Sequence, residues 1–228
     1  MAEPLVDALN DLYSEVASRN RELLALNQSL EAKVRERTAA LVKANQQLEA
    51  MAMSDLLTGL PNRRHAMSAI ERFWEDSGKS QRPMACMLID ADGFKQINDT
   101  FGHDAGDEVL RQLAATLRRA ARTDDVVCRL GGDEFLVLMP STDLDGALLF
   151  GERVRMAVDL LRVPAGTGEW KGSISVAVAV RVDGMVNPEA LIKVADEGVY
   201  VAKRKGRNCV ATVQRRRSFA PTTLAVGA

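Results

Sequence analysis

The chain contains the stretch Arg129-Leu130-Gly131-Gly132-Asp133-Glu134-Phe135, which joins two apolar runs. A Gly-Gly dipeptide between such runs predicts a two-residue β-hairpin, because glycine tolerates the positive φ of a tight turn. Glycines without side chains also let a ligand approach the backbone. Asp133 and Glu134 then lie at the tip, where carboxylates can bind a hard divalent cation. Gly-Gly-Asp alone is more typical of a solvated acidic turn, so the full string carries the interpretation.

The full string resembles the signature of GGDEF-type diguanylate cyclases, Arg-x-Gly-Gly-Asp/Glu-Glu-Phe. The resemblance extends from about Ser54 to Val213, with several motifs in the family's order. It implies an α+β fold like that of adenylate cyclase and polymerase palm domains, with a mixed sheet flanked by helices. It also implies an enzyme that condenses two GTP into cyclic di-GMP and two pyrophosphates.

The composition of the chain is that of a globular protein. Of its 228 residues, 46% are hydrophobic and 27% are charged, and the net charge is −1. A general electrostatic nucleic-acid binder is therefore not expected. No apolar stretch approaches the roughly 20 residues of a membrane helix, and no signal peptide is evident at the start. Cys86, Cys128 and Cys209 lie in apolar runs without metal-type spacing, which indicates reduced thiols and a cytoplasmic location.

The segment from Val6 to Met51 has a heptad pattern and contains neither Gly nor Pro. With Val6 at position a, eleven of the fourteen a and d residues are apolar, and the exceptions are Asn20, Asn27 and Arg37. The pattern predicts a parallel coiled coil, and an Asn at position a favours a two-stranded pairing. A helix packed on its own domain is the alternative. Leu5, Leu12 and Leu26 at position g offer a second, weaker register.

The remaining chain is predicted as one mixed domain. Gly59 and Pro61 mark a linker, and alternating strands and helices with one hairpin follow. The predicted elements are a helix at Arg63–Glu75, a strand at Met84–Asp90, a helix at Asp104–Ala120, the hairpin strands Val126–Leu130 and Phe135–Met139, a helix at Leu144–Leu161, a strand at Ser173–Val182, a helix at Pro188–Lys205 and a strand at Asn208–Val213. We expect a dimerisation helix at 1–53, a catalytic domain at 54–213 and a disordered tail at 214–228.

Carboxylates at the end of an apolar strand form the candidate metal site. Asp90-Ala91-Asp92 ends a strand that is apolar on both faces, and Mg²⁺ often bridges protein carboxylates to substrate phosphates. The resemblance implies that Asp90 and Asp133 bind Mg²⁺, or Mn²⁺ in its place, with the Ala91 carbonyl as a further ligand. Glu134 is either another ligand or the base for the attacking hydroxyl. Asp92 is either a further carboxylate of this face or a residue that shapes the turn.

Two segments are candidates for binding phosphates. Gly93-Phe94-Lys95 follows the strand in a turn whose N–H groups can bind phosphate oxygens, and Lys95 adds a charge. The segment from Ala195 to Asn208 resembles the closing motif of the family, which implies that Lys203 and Arg207 bind the β- and γ-phosphates. A basic helix end stabilised by the macrodipole is the simpler alternative for these two residues.

The resemblance also implies a guanine site and an inhibitory site. Asn98 and Asp107 match the residues that read guanine, whose N1 and N2 donors a carboxylate can accept; adenine presents an acceptor at N1. Arg122 and Asp125 form an Arg-x-x-Asp string with five residues between Asp125 and Gly131, at the offset of the family's product-binding site. Arg153 is a further candidate for that site, contributed from a facing surface.

Two positions depart from the family's pattern. Ala177 stands in the later strand where the family usually has Gly, and Gly198 stands in the closing helix where Ala is usual. Neither is a candidate ligand, so we expect effects on stability rather than on mechanism.

The sequence therefore predicts a diguanylate cyclase that acts as a homodimer and is inhibited by its product, cyclic di-GMP. The coiled coil would bring two GTP-loaded domains together. An upstream sensor domain or a partner would supply the signal, and no membrane or nucleic-acid partner is expected. The alternatives are a non-catalytic module that binds GTP or cyclic di-GMP, a coiled-coil adaptor, and a cyclase for other dinucleotides.

Overall fold

The computed structural model describes residues 3–214. The chain divides into two units, with the boundary between Met51 and Ala52. The first unit is formed by helix α1 (Glu3–Ala52). None of the described helices is long and apolar enough to cross a membrane. The predicted tail falls outside the described residues from 215 onward, whereas the side chain of Gln214 makes two hydrogen bonds of 2.8 Å to the backbone of Val180.

The second unit consists of helices around one mixed sheet. In chain order its elements are α2 (Arg63–Ser80), β1 (Met84–Ala91), α3 (Phe94–Phe101), α4 (His103–Ala120), β2 (Val126–Gly131), β3 (Glu134–Pro140), α5 (Leu144–Asp159), β4 (Arg162–Ala165), β5 (Gly168–Lys171), β6 (Ile174–Val180), α6 (Pro188–Arg204) and β7 (Cys209–Ala211). The predicted elements are present. Helix α3 and the small hairpin β4–β5 were not predicted.

The sheet has the strand order β2-β3-β1-β6-β7, in which only β6 and β7 run parallel. Strand β1 is central, and all eight of its residues are buried. Successive strand side chains point to opposite faces. Met87 and Ile89 therefore join the core of one face, which includes residues of α4 and α5, whereas Cys86 and Leu88 join the core of the other, which includes residues of α2 and α6.

This architecture determines where the polar residues gather. Strand β1 ends at Ala91 beside the hairpin between β2 and β3, because β1 pairs antiparallel with β3 and Asp90 lies opposite Glu134. Asp90 is in phase with Cys86 and Leu88, so its side chain lies on the face that α6 covers. The core that holds these strands also buries the Cys86 thiol, and burial raises its pKa to about 12.

The two departures from the family pattern lie against each other. A Cβ added at Gly198 on α6 would come within 2.8 Å of the Cβ of Ala177 on β6. The Ala177 methyl group on β6 therefore fills the space that the side chain of an alanine at position 198 would need. The two positions form one packing contact between helix and sheet.

Candidate active site

The backbone at the tip of the β2–β3 hairpin is exposed and has free space around it. Gly131 and Gly132 have φ values of 141° and 53°, and a Cβ added at either would meet no heavy atom within 4 Å. The strand register shifts between Arg129 and Gly131, which is a local bulge. The tip is therefore a bare backbone surface that a ligand can approach, with Asp133 and Glu134 beside it.

Asp90 is the buried carboxylate of the site. Its side chain accepts a hydrogen bond of 2.5 Å from the Lys203 ammonium of α6. Burial raises the pKa of Asp90 above its ordinary value, the Lys203 hydrogen bond partly offsets this, and the charge of Asp133 raises it again. The carboxylates of Asp90 and Asp133 thus lie close enough for their charges to interact, and Lys203 places a positive charge on Asp90.

Asp133 and Glu134 have different surroundings. The Asp133 carboxylate accepts no hydrogen bond and forms no ion pair within residues 3–214. Glu134 is exposed, and its carboxylate lies 3.9 Å from the Arg63 guanidinium. Arg63 also donates to the Leu130 carbonyl at 3.2 Å. Arg63, the first residue of α2, was not predicted as part of the site.

The donor set fits Mg²⁺ bound together with a nucleotide. Among the described residues, no group of three or more His, Cys, Asp or Glu side chains is arranged to hold a metal. The candidate oxygen ligands are Asp90, Asp133 and the Ala91 carbonyl, and Mg²⁺ is commonly held by one or two carboxylates plus substrate phosphates. Asp90 already forms an ion pair with the Lys203 ammonium.

The turn after β1 leads into helix α3. Gly93 has φ 74° and lies directly before this helix, which begins at Phe94. The first N–H groups of a helix have no partner within it and carry its positive dipole end. The Lys95 ammonium is exposed and makes no ion pair in the part of the chain that the structure describes. The predicted phosphate turn thus coincides with a helix N-terminus.

The predicted guanine residues lie on two consecutive helices. The Oδ1 atom of Asn98 on α3 is buried and has no hydrogen-bond partner in the structure. A Cβ added at Gly106 on α4 would lie 1.9 Å from this atom, so a glycine is needed there. Asp107, the next residue, is half-buried, and its carboxylate lies 3.9 Å from Arg111. An unpaired buried acceptor is costly, which suggests a ligand that donates to it.

Lys203 and Arg207 flank the end of α6. Arg207 has a left-handed backbone, with φ 64°, and its N–H donates to the Ala202 carbonyl at 3.1 Å. Its guanidinium makes no hydrogen bond or ion pair with the described residues. Lys203 is therefore paired with Asp90, whereas Arg207, four residues later in the chain, has an unpaired guanidinium among the described residues.

Asp92 is not a candidate metal ligand. Strand β1 ends at Ala91, so the two-residue spacing does not place Asp92 on the strand with Asp90. Its carboxylate accepts from the hydroxyls of Ser173 and Ser175, at 2.7 Å each, and from the N–H of Asn208 at 3.1 Å. The second interpretation from sequence, a residue that shapes the turn, agrees with these bonds.

The predicted inhibitory residues lie together on one chain. The N–H of Arg122 donates to the Asp125 carboxylate at 2.8 Å, and burial raises the pKa of this carboxyl. Arg153 on α5 donates to the Ala120 carbonyl at 3.0 Å and covers the ring of Phe150 at 4.9 Å. Arg153 thus lies near Arg122 and Asp125 of its own chain, and its contribution from a facing surface stays a prediction.

A partly buried ion pair next to the hairpin was not predicted. The Arg129 guanidinium contacts both carboxylate oxygens of Asp55 at 3.0 Å and donates to the Gly132 carbonyl at 3.0 and 2.8 Å. Asp55 also accepts from the N–H and the hydroxyl of Thr58. The only signal in the sequence is Asp-x-x-Thr, a local turn pattern that does not reveal the distant arginine.

Comparisons with known proteins identify relatives of this chain. Residues 52–209 match the family model described as "Diguanylate cyclase, GGDEF domain". The response regulator PleD of Caulobacter vibrioides is 46% identical over 162 residues, which are 70% of this chain and 36% of that protein. The diguanylate cyclase DosC of Escherichia coli is 38% identical over 157 residues, or 68% of this chain and 34% of that protein. The chain spans about a third of the length of these relatives.

A solved structure also matches most of this chain. It is the coiled coil and GGDEF domain of DgcB from Caulobacter crescentus, in complex with c-di-GMP. The identity is 30% and the TM-score is 0.70, over 80% of this chain and 98% of the other.

Proposed function

This chain belongs to the GGDEF family of diguanylate cyclase domains, and we propose that it condenses two GTP into cyclic di-GMP. In each of two condensations a ribose 3′-oxygen attacks the α-phosphorus of the other nucleotide. A new P–O bond forms, the bond between the α- and β-phosphates breaks, and pyrophosphate leaves. The hydroxyl proton passes to a base, for which we propose Glu134, or to solvent.

The observation that carries this proposal is the arrangement around Asp90. A buried carboxylate bound to Lys203 lies at a strand end, opposite a bare glycine hairpin whose Asp133 has no partner among the described residues. An acidic pair of this kind is unfavourable unless a cation neutralises it. A divalent metal ion supplies that charge, and its affinity for phosphate oxygens would bring the triphosphate of the nucleotide to the open hairpin.

We propose Asp90, Asp133 and the Ala91 carbonyl as the residues that hold Mg²⁺ or Mn²⁺. A bound divalent cation would neutralise phosphate charge and lower the pKa of the attacking hydroxyl. The protein's own contribution is to bind the phosphates through the turn at Phe94 and Lys95, and through Lys203 and Arg207. Glu134 is free to act as the base, since its exposed pairing with Arg63 is a weak one.

We propose that Asn98 and Asp107 select guanine. Guanine offers donors at N1 and N2, and the unpaired Oδ1 of Asn98 and the carboxylate of Asp107 are acceptors. Adenine would leave acceptors facing its N1 lone pair. Unpaired buried groups of this kind can give discrimination of about 10⁴-fold.

The reaction needs two domains that face each other, and we propose that α1 forms a parallel two-stranded coiled coil to supply the second one. In the single chain the a and d side chains of Tyr13, Leu23, Leu30, Val34 and Leu41 are all more than half exposed. A second copy of α1 would cover this apolar stripe. Joining the domains in this way raises their effective concentration.

We further propose that cyclic di-GMP inhibits the enzyme by binding at Arg122, Asp125 and Arg153. The guanidinium groups suit phosphates or the face of a base, and a carboxylate accepts from guanine N1 and N2. Since the chain spans only part of its relatives, an upstream sensor or a partner protein would supply the signal. GTP and the free thiols are consistent with action in the cytoplasm.

Mass spectrometry of the products formed from GTP and Mg²⁺ tests the proposal. We expect cyclic di-GMP and pyrophosphate from the parent chain and none from Asp133→Ala with an unchanged circular dichroism spectrum. Asp196→Ala removes an exposed acid of α6 and should retain activity. A folded parent that binds GTP but forms no product would instead support the non-catalytic module. Full activity in folded Asp133→Ala would refute the metal-site assignment.

A further inference from the structure

We propose that Asp92 is a positioning residue that holds the phosphate-binding Arg207 in place relative to the end of strand β1. This inference rests on the proposed function, because the phosphate role of Arg207 belongs to that proposal. Asp92 itself is buried, and its carboxylate accepts hydrogen bonds from Ser173, Ser175 and Asn208. It would act through the segment that carries Arg207.

The first argument is the set of bonds that Asp92 makes. Its carboxylate connects Ser173 and Ser175 with the backbone N–H of Asn208, the residue directly after Arg207. Its own N–H donates to the Ser173 carbonyl at 2.9 Å, and its carbonyl accepts from the Trp170 indole at 3.3 Å. Asp92 is therefore fixed at both backbone and side chain. The Asn208 N–H is bonded to a rigid point.

The second argument is the backbone of the segment that Asp92 holds. Arg207 and Asn208 have φ values of 64° and 43°, a left-handed region that is unfavourable for Arg, whereas Asn adopts it more readily. Such conformations persist only where the surroundings impose them. The Asn208 side chain is held from α5 by Asp159 and Arg155, at 2.9 and 3.1 Å. Asp92 supplies the bond on the side of the active site.

The third argument is the location of Asp92 between the two halves of the site. It lies two residues after Asp90 and directly before Gly93, which begins the other phosphate-binding turn. One carboxylate thus connects the end of the metal strand, the α3 turn and the Arg207 segment. If the carboxylate is lost, the N–H of Asn208 loses its partner and the left-handed backbone can relax. Arg207 would then move away from the phosphates, while the guanine site is untouched.

A comparison of two ligands tests this role without catalysis. Calorimetry would measure the affinities of the full-length chain for guanosine 5′-(α,β-methylene)triphosphate, which cannot release pyrophosphate, and for GMP, both with Mg²⁺. We expect the parent chain to prefer the triphosphate. In Asp92→Asn this preference should fall by about tenfold, the loss of one charge-assisted contact, with little change for GMP. Arg207→Ala should show the same pattern, and the double variant should lose little more.

Two further variants make the outcome decisive. Ser173→Ala removes a bond to the same oxygen that holds Asn208 and should reduce the preference by a smaller factor; it decides the question if Asp92→Asn does not fold. Asp143→Ala removes the N-cap of α5 and should lower stability without changing the ratio. An unchanged triphosphate preference in the folded Asp92 and Ser173 variants, or additive effects with Arg207→Ala, would overturn the positioning role. A parent chain that binds neither ligand would refute the proposed function instead.

Discussion

Asp55 and Arg129, 74 residues apart in the chain, form a two-point ion pair whose contacts are both 3.0 Å long. Arg129 simultaneously binds the Gly132 carbonyl at the tip of the active-site hairpin. The segment directly after α1 is therefore connected to the catalytic hairpin by one guanidinium. We expect the conformation of the tip to depend on Asp55.

The first prediction concerns this pair. Asp55→Asn should destabilise the folded domain by about 1–3 kcal/mol, because a charge-assisted and largely buried contact is lost. Hydrogen exchange at residues 130–134 should become faster, and cyclase activity should fall. Glu75→Gln, which breaks the exposed pair with Lys79, should change stability by less than about 0.5 kcal/mol. Equal protection of the hairpin in both variants would contradict the link.

The same pair has a pH signature. Burial alone would raise the pKa of Asp55, but hydrogen bonds from Thr58 and Arg129 lower it below the ordinary 3.8. A lowered pKa in the folded state gives stability that is fully present above 3.8 and is lost as the pH falls through the folded value. The stability difference between the parent and Asp55→Asn should therefore shrink in acid. Denaturant unfolding at several pH values measures it.

The pKa of Asp90 is shifted in the opposite direction from that of Asp55, so its effect on stability has the opposite dependence on pH. Because burial raises its pKa above 3.8, the folded state binds the proton more readily, and stability falls as the pH rises from 3.8 through the folded value. Asp90→Asn should therefore melt at a higher temperature than the parent at neutral pH and at nearly the same temperature below the ordinary value. It should also form no cyclic di-GMP and gain no thermal stability from Mg²⁺ with GTP. A lower melting temperature at neutral pH would contradict the cost of this carboxylate.

The contact between Ala177 and Gly198 predicts a rescue. Gly198→Ala alone should cost about 1–3 kcal/mol, because its Cβ would overlap the Ala177 methyl group. Ala177→Gly alone should cost about 1 kcal/mol in a central strand. The double variant removes the overlap, so its stability should exceed the additive sum by at least about 1 kcal/mol. As a control, Ala177→Gly combined with Gly78→Ala, whose added Cβ would lie 3.3 Å from the Arg181 guanidinium rather than beside Ala177, should be additive within about 0.5 kcal/mol.

Gly106 predicts an effect on substrate binding. A methyl group at this position would displace the Asn98 side chain, whose Oδ1 would lie 1.9 Å from it. Gly106→Ala should raise the KM for GTP by about tenfold or more, the loss of one hydrogen bond to a ligand, with a smaller effect on kcat. Gly146→Ala changes a helical glycine of α5 and serves as the control. An unchanged KM in Gly106→Ala would remove Asn98 from the guanine site.

The inhibitory site predicts a separation of initial rate from final yield. Arg122→Ala should leave the initial rate nearly unchanged and raise the yield of cyclic di-GMP at long times. Titration should show weaker binding of cyclic di-GMP to this variant than to the parent. Arg119→Ala, a nearby basic residue of α4, is the control. Inhibition that GTP overcomes competitively would place the product in the active site instead.

The sequence predicts those parts of the fold that have local signals. The Gly-Gly dipeptide indicates the hairpin, and the apolar run of β1 indicates a strand buried on both faces. Helix α3 has only eight residues, from Phe94 to Phe101, which is too short for a helical period to be recognised. The small hairpin β4–β5 mixes polar and apolar residues over four-residue strands, so its pattern is equally weak.

The missed parts of the site depend on distant contacts. Nothing near Asp55 or Arg63 in sequence indicates that their partners are Arg129 and Glu134. Asp92 allowed two interpretations because the strand end cannot be located to one residue, and the structure places it just beyond the strand. The Asn98 and Gly106 contact was not anticipated either, since a glycine inside a helix gives no sign of the neighbour that requires it.

The ion pair between Lys203 and Asp90 sets the conditions under which ligands enter. Without ligand, the lysine and the carboxylate neutralise each other, so a metal ion alone must compete with an ammonium group already in place. In the proposed site, the phosphates of a nucleotide would attract the Lys203 ammonium and leave Asp90 with a negative charge that needs a cation. Each ligand thus strengthens the binding of the other, as linkage requires. We therefore expect the site around Asp90 to bind nucleotide and metal together much more tightly than it binds either one alone.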